Sequence, residues 1–464
     1  MVSELLPWSR NDWHETTWGE LVELKYGKAL QGYKEATTGF PVYGTNGAVG
    51  FNDKPLCAHP GVIIGRKGAY RGVHYSSVPF FVIDTAFYIE PRFDINLKWA
   101  YYELLQQDIN GLDSGSAIPS TRREDFYALR VKIPPRYVQD KICVLLDSLN
   151  NKINCNRQIN QTLEQMAQAL FKSWFVDFDP IVDNALDAGF FEQGLDLPDE
   201  LLRRAEARRA VREHGDFKPL PKATRQLFPA AFEECAEPSV GLGGWVPKGW
   251  TVQTCEEISD KIGMGPFGSN IKVSTFVEDG VPVISGTHLK QVLLEEHDYN
   301  YITEEHALKL KNSCVYKGDI VFTHAGNIGQ VSLIPLESQY DKYMISQRQF
   351  YLRPNHRKIK SSYLVYFFHS ADGQHKLLSN ASQTGVPSIA RPSTHLKSIY
   401  LLVPHMDVQD VFDTYIAAWN KKIMKSRENI ISLTRLRDTL LPKLISGELR
   451  LDNIEAELAK VEVA

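Results

Sequence analysis

Three strings in the first third of the chain gather hydrogen-bonding side chains around glycines: YGTNG (43–47), GRKGAYR (65–71) and SGSAIPSTRR (114–123). They offer Tyr43, Thr45 and Asn46, then Arg66, Lys67, Tyr70 and Arg71, then Ser116, Ser120, Thr121, Arg122 and Arg123. These are the residue types that meet base edges: Arg or Lys at guanine, Asn or Gln at adenine, Ser or Thr at either. The second half supplies a comparable set in Ser285, Thr287 and His288, in Thr323, His324 and Asn327, and in Gln347, Arg348 and Gln349. Ser382, Gln383, Thr384 and Arg391 complete it. Taken singly, each residue serves equally well as an ordinary turn residue or strand cap. Taken as loops they are stronger candidates, because binding residues concentrate on loops held by a rigid scaffold.

Charge is segregated in the same places. The net charge of −4 argues against a protein that coats nucleic acid indiscriminately. Yet no acidic residue lies between Lys54 and Ile83, and from Lys342 to Met406 nine Lys and Arg face Asp372 alone. Acid-poor stretches concentrate positive potential, as a phosphate backbone requires. A solvated basic face is the plainer alternative.

Catalytic patterns are missing. GRKGAYRG (65–72) lacks the Walker spacing and its terminal Lys-Ser/Thr. No glycine-rich strand-to-helix turn suits a nucleotide cofactor, and no acidic cluster followed by Glu-x-Lys suggests a nuclease. The thirteen histidines show no metal-ligand spacing, and the six cysteines are scattered without a close pair. Neither a metal site nor a disulfide framework is expected, and a reducing cytoplasm fits best.

Whatever these loops do, a duplicated scaffold must position them. VQDKICVLLDSLNNKI (138–153) and VQDVFDTYIAAWNKKI (408–423) share one register, and residues 138–170 against 408–440 give nine identities in 33 gapless positions. Apolar residues recur at three- and four-residue steps in both copies, with no Gly or Pro inside, and each follows a proline-containing extended piece. Two helices of about 50 Å are expected, with a narrow apolar stripe suited to a coiled-coil seam. Before each lies a mixed region rich in turns and β-branched residues. Gly61 and Gly72 are eleven apart, as are Gly318 and Gly329, and Ile118-Pro119-Ser120 aligns with Val386-Pro387-Ser388.

The predicted organisation is 1–137 (domain 1), 138–180 (helix 1), 181–244 (linker), 245–405 (domain 2) and 406–464 (helix 2 and tail). Within the linker, DELLRRAEARRAVREHGDF (199–217) reads as a polar surface helix whose arginines face solvent, a phosphate or a partner. At 464 residues, 43% apolar and 23% charged, with no apolar run of membrane-spanning length, the chain has a soluble globular composition without a membrane partner. Two copies in one chain imitate a two-fold dimer, which makes the paired helices antiparallel. Two unlike domains would then read the two halves of an asymmetric, bipartite target.

FKSWFVDFDP (171–180), LFP (227–229), GWVPKGW (244–250) and LLPKLISGELRL (440–451) stand in the order seen in the specificity subunits of type I restriction-modification systems, which the chain resembles over essentially its whole length. The resemblance implies an α+β fold: two mixed α/β target-recognition domains separated by two long antiparallel coiled-coil helices, with a pseudo-two-fold internal repeat. It implies as partners double-stranded DNA, two modification subunits that methylate adenine, and restriction subunits that translocate and cut. S-adenosylmethionine, ATP and Mg belong on those partners, with no cofactor and no metal on this chain. An Asn/Asp-Pro-Pro-aromatic motif for methylation is absent, since the only Pro-Pro pair is Pro134-Pro135, between Ile133 and Arg136. A fused methyltransferase or nuclease is the alternative. Trp174, Phe175 and Phe178 beyond helix 1, and Leu441, Leu444 and Ile445 beyond helix 2, form either caps of the coiled coil or a docking patch for the modification subunits.

Overall fold

The computed structural model describes residues 13–112, 119–237, 239–268, 270–382 and 385–450. They fall into two compact units, one drawn from 1–156 and 428–464, the other from 157–427.

Unit 1 begins with β1 (His14–Thr17), a helical turn α1 (Trp18–Leu21) and β2 (Val22–Tyr26). Then come β3 (Phe40–Gly44), β4 (Gly47–Asn52), β5 (Gly61–Gly65), β6 (Val73–Ser76), β7 (Phe81–Val82) and β8 (Ala86–Pro91). Helices α2 (Leu97–Leu104) and α3 (Arg123–Tyr127), strand β9 (Arg130–Ile133) and the first part of α4 (Arg136–Phe171) complete the N-terminal portion. One sheet runs β2-β8-β5-β6, a second β4-β3-β7, and β1 pairs with β9. The run Gly61–Gly65 is buried throughout, so β5 carries no polar alternation. Asn96 caps α2 by accepting from the Lys98 and Trp99 amides, and Trp99 then stacks on Trp18.

In unit 2, α4 passes into a π turn at Lys172–Val176 and ends at Phe178, whose left-handed backbone (φ 55°) turns the chain into α5 (Asp179–Asp187). Helices α6 (Asp199–Glu213) and α7 (Lys222–Arg225) and the paired strands β10 (Phe232–Glu234) and β11 (Trp245–Pro247) follow. The stretch read as a linker is therefore folded, with Ile181, Val182, Phe190, Leu201, Phe228 and Phe232 in the same apolar cluster as Phe322 and Phe412. The arginines of α6 are ion-paired to acids on or just before α5. Arg204 meets Asp177, Arg208 grips Asp183 with two hydrogen bonds (2.9 and 2.8 Å), and Arg212 meets Asp187.

The rest of unit 2 repeats unit 1. Its strands are β12 (Thr251–Thr254), β13 (Ser259–Met264), β14 (Val281–Ile284), β15 (Asn300–Ile302), β16 (Cys314–Tyr316) and β17 (Ile320–Thr323). They continue with β18 (Val331–Leu333), β19 (Lys342–Ile345), β20 (Gln349–Pro354), β21 (Ala381–Ser382), β22 (Ser388–Ile389) and β23 (Tyr400–Val403). Helices α8 (Glu304–Lys309), α9 (Ser361–His369), α10 (Ala371–Leu378), α11 (Pro392–Lys397) and α12 (Met406–Ser446) are interspersed. The order β13-β20-β17-β18 reproduces β2-β8-β5-β6, and β12 with β23 reproduces β1 with β9. The parallel pair β14/β19 reproduces β3/β7. The strand registers shift one detail of the sequence alignment. Ile64 faces Val73 as Phe322 faces Val331, so Gly61 corresponds to Asp319 and not to Gly318.

The repeated Val-Gln-Asp has a structural cause. Gln139 is fully buried, donates to the Pro134 carbonyl (2.9 Å) and accepts from the Asn96 amide (2.8 Å). Gln409, also fully buried, donates to the Pro404 carbonyl (2.8 Å) and accepts from the Lys360 amide (2.9 Å). Each glutamine ties the start of a long helix to the strand exit before it and to the start of a shorter helix. A part-buried backbone N–H and a buried C=O are thereby satisfied by one side chain.

The long helices, 36 and 41 residues, meet within each unit. In unit 2, Phe171 lies edge-on to Phe412 and Glu164 lies 3.9 Å from Arg427, which makes the two segments antiparallel. In unit 1, Arg437 donates to the Asn150 side chain (3.1 Å). The second helix continues past Pro442, so Leu441, Leu444 and Ile445 lie inside it and not beyond its end. Among the described residues no helix is long and apolar enough to cross a membrane.

Candidate nucleic-acid interface

In unit 1 the first two glycine-rich strings and residues 119–123 of the third become neighbouring segments. The Gly72 amide donates to the Thr45 carbonyl (3.0 Å), which joins the β3–β4 turn to the β5–β6 turn. The Arg66 amide donates to the Thr85 carbonyl (2.9 Å), and the Gly68 amide to the Pro119 carbonyl (3.0 Å). Thr121 donates back to the Arg66 carbonyl (2.9 Å), and Lys67 and Ser120 form a β-bridge. Turned to its hydrogen-bonding orientation, the Asn46 amide donates to the Tyr70 carbonyl.

The surface so made is cationic and aromatic. Tyr70 is 67% exposed. Tyr26, which the sequence reading passed over, carries two guanidinium groups near its ring, Arg66 at 4.8 Å and Arg123 at 3.9 Å from the centroid. Both also approach the Phe87 ring. Ring faces hold cations by their quadrupole, and like charges gathered on one aromatic patch leave a field that an anion relieves. The signal in the sequence was Gly27 directly after Tyr26. A Cβ there would stand 2.0 Å from the Ile83 carbonyl oxygen, so only glycine lets strand β2 end against that loop. Gly265 has the same role in unit 2, 2.0 Å from the Ser346 carbonyl oxygen.

Unit 2 repeats three of these backbone bonds. Gly326 donates to the Pro387 carbonyl (2.9 Å), Ile389 to the His324 carbonyl (2.8 Å), and His324 to the Arg348 carbonyl (2.9 Å). Ala325 and Ser388 form the bridge that Lys67 and Ser120 form in unit 1. The aligned Pro119-Ser120 and Pro387-Ser388 are thus the segments clamped by the frame. The side chains differ where the frame agrees: Arg66-Lys67-Gly68 stands in one unit, His324-Ala325-Gly326 in the other. Asn327, Gln347, Arg348, Ser382 and Arg391 are exposed around that frame in unit 2, and Arg391 has a left-handed backbone (φ 46°). Thr287 is exposed, and Ser285 shares a hydrogen bond with it (2.8 Å).

Burial corrects five of the candidates. Arg71 is 2% exposed and spends its guanidinium on the Gly68 and Asn110 carbonyls (2.9 and 2.6 Å). Thr121, His288, Thr323 and Gln349 are buried as well. Thr323 donates to Gln330 (3.1 Å), Gln349 accepts from Ser346, and His288 shares a hydrogen bond with the His297 carbonyl (2.9 Å). Burial, with His297 beside it, pushes the His288 imidazole down to about 4, and burial also lowers His324 and His74. Arg71, Thr121, His288, Thr323 and Gln349 hold the loops and present no edge to a ligand. Tyr43 and Thr45 are half-buried, Tyr43 lying edge-on to Phe80. Ser120 and Arg123 are half-buried, and Arg122 is exposed. Ser116, Gln383 and Thr384 lie outside the described residues.

The expected apolar docking patch is also corrected. Trp174, Phe175 and Phe178 are buried against Phe412, Tyr363, Trp250 and Phe232 within unit 2. Leu441, Leu444 and Ile445 are buried in the unit 1 core with Trp18, Trp99, Ile142 and Leu146. Neither group offers an exposed surface. Their apolar area is covered by the chain's own residues, as in the capping alternative.

Comparison with known proteins follows the same outline. The model of the type I restriction modification DNA specificity domain matches residues 10–165 and again 247–432. The chain is 26% identical over 371 residues to the type I restriction enzyme HindI specificity subunit of Haemophilus influenzae, covering 75% of this chain and 74% of that one. It is 20% identical over 383 residues to the type I restriction enzyme MjaIX specificity subunit of Methanocaldococcus jannaschii, covering 79% and 72%. The crystal structure of the type I restriction-modification S subunit from M. genitalium matches with a TM-score of 0.56 at 16% identity, over 96% of this chain and 99% of that one, a likeness of fold.

Proposed function

Because the chain belongs to the family of type I restriction modification DNA specificity domains, we propose that it is the sequence-reading subunit of such a system. Each recognition domain reads one half of an asymmetric, bipartite duplex target. The observation that carries this reading is the shared loop frame with unlike side chains. One frame gives one mode of approach to the groove, while Arg66-Lys67 and His324-Ala325 put different side chains at equivalent backbone positions. Phosphate contacts position and base contacts specify. On this reading the paired arginines over Tyr26 serve the backbone, and the exposed Asn46, Asn327, Gln347 and Arg348 reach base edges.

The chain works without catalysis of its own. Methyl transfer and cleavage belong to modification and restriction subunits, which bring S-adenosylmethionine, ATP and Mg, and the assembly acts in the cytoplasm. The long helices set the spacer between the two half-sites. Exchanging residues 1–137 for the equivalent region of a relative, followed by methylation mapping of the host genome, should change one half of the modified motif only. Change in both halves, or in neither, would refute the division of labour. Lengthening both long helices by whole turns should change the tolerated spacer and leave both half-sites intact. Methyl transfer to DNA by the purified chain alone would instead favour a fused enzyme.

A further inference from the structure

On unit 1, three residues of ligating type converge that no sequence spacing announced. Cys57, His59 and Glu90 each aim one donor atom into a space where all three atoms lie within 4.8 Å of one another. Cys57 is 2% exposed, and its backbone is pinned to Phe80 by two hydrogen bonds (Cys57 amide to Phe80 carbonyl 2.9 Å, the reverse 3.0 Å). Glu90 sits on β8 directly opposite Glu23 of β2. Glu23 is engaged by Lys25 (2.7 Å), whereas Glu90 faces His59 (3.4 Å).

We propose that Cys57, His59 and Glu90 form a mononuclear site for a divalent, zinc-like cation, with the fourth position open to solvent. Two of the three ligand separations match a tetrahedral shell, and all three donor atoms lie within 4.8 Å of one another. With bonds of about 2.3 Å to sulfur and about 2.0–2.1 Å to nitrogen and oxygen, tetrahedral edges come to about 3.6 Å for S–N and about 3.4 Å for N–O. The structure has 3.6 Å from Cys57 Sγ to His59 Nε2 and 3.4 Å from Nε2 to Glu90 Oε2. Sγ is also 3.6 Å from Nδ1, so the sulfur stands over the imidazole and the ring must tilt for its Nε2 lone pair to meet a shared ion; Nδ1 donates to the Pro60 carbonyl (2.8 Å). That second bond fixes the tautomer that leaves the Nε2 lone pair for a metal, as is usual around ligating histidines. The thiol donates to the His59 carbonyl at 3.4 Å, a weak bond that a thiolate–metal bond replaces. Binding forms the Sγ–metal bond and releases the thiol proton to water. A cation here also neutralises one of two carboxylates that stand opposite each other across a strand pair, an arrangement otherwise unfavourable. The metal would clasp the segment before β5 to the edge of β8, apart from the loops assigned to DNA.

Full-length protein, stripped with chelator and titrated with Co²⁺, should take up about one cobalt with a thiolate-to-cobalt charge-transfer absorption. Added Zn²⁺ should bleach it. His59→Ala and Glu90→Gln should weaken binding at least about tenfold, and Cys57→Ala should abolish the charge-transfer band. Cys155→Ser, at an exposed cysteine, should leave it unchanged. Because His59 and Glu90 are only partly buried, their variants test the site even if Cys57→Ala fails to fold. No thiolate band in the parent protein, or the same affinity in His59→Ala and Glu90→Gln, would overturn the proposal.

Discussion

Replacing Gln139 by alanine should release the start of α4 from α2. The side chain is fully buried and serves one backbone donor, Asn96 N–H, and one backbone acceptor, Pro134 C=O. Removing it leaves both without a partner, and each buried unsatisfied group costs about 1–3 kcal/mol. The sum is about 2–5 kcal/mol once some water entry is allowed for. Gln409→Ala should cost the same, since Lys360 N–H and Pro404 C=O take the equivalent places. Asp140→Ala is the control. Its half-exposed carboxylate accepts from Asn96 and Arg136, and exposed pairs of this kind contribute about 0.2–1 kcal/mol. The assay is amide hydrogen exchange, which reads local opening and so avoids assuming that a chain of two units unfolds in one step. The Asn96 amide should exchange at least about thirtyfold faster in Gln139→Ala, the equivalent of about 2 kcal/mol, with the Lys360 amide responding likewise in Gln409→Ala. Acceleration below about threefold would refute the claim that the repeated glutamine is a buried latch.

Burial pushes the Glu103 carboxyl up to about 7, although Gln107 and Trp18 donate to it. A carboxyl that is neutral when folded stabilises most below its unfolded value of about 4.5, and that contribution is lost as pH rises through about 7. The free energy of urea unfolding should therefore fall between pH 5 and 8 by up to about 3 kcal/mol, and Glu103→Gln should flatten that slope. Arg208→Met leaves Asp183, 6% exposed, without its two-pronged partner. Arg212 stays within 4.0 Å, so the loss should sit near the low end of the range for broken buried pairs, about 3 kcal/mol by urea unfolding. Arg66→Ala and Arg123→Ala should each lower the slope of log affinity against log salt by about one, uniformly across DNA sequences. A change confined to one base position would mark them instead as base readers.

The sequence by itself determined the duplication, the two long helices and the strings that become loops. Apolar residues at three- and four-residue steps need no knowledge of a partner to specify a helix, and a copied register is visible as letters. The Ile-Pro-Ser and Val-Pro-Ser match was legible for the same reason. Tertiary structure decided which residues in those strings face outward. Arg66 and Arg71 stand five apart in one basic string, yet Arg71 is inside, bound to Asn110 far along the chain. Trp174, Phe175 and Phe178 read equally as patch or plug until Phe412, more than two hundred residues later, covers them. The arginines of α6 looked like a solvated face because Asp177, Asp183 and Asp187 lie on a different element. Periodicity reports a residue's neighbours along one element. Burial, ion pairing and the convergence of Cys57, His59 and Glu90 depend on which elements meet, and only the fold brings them together.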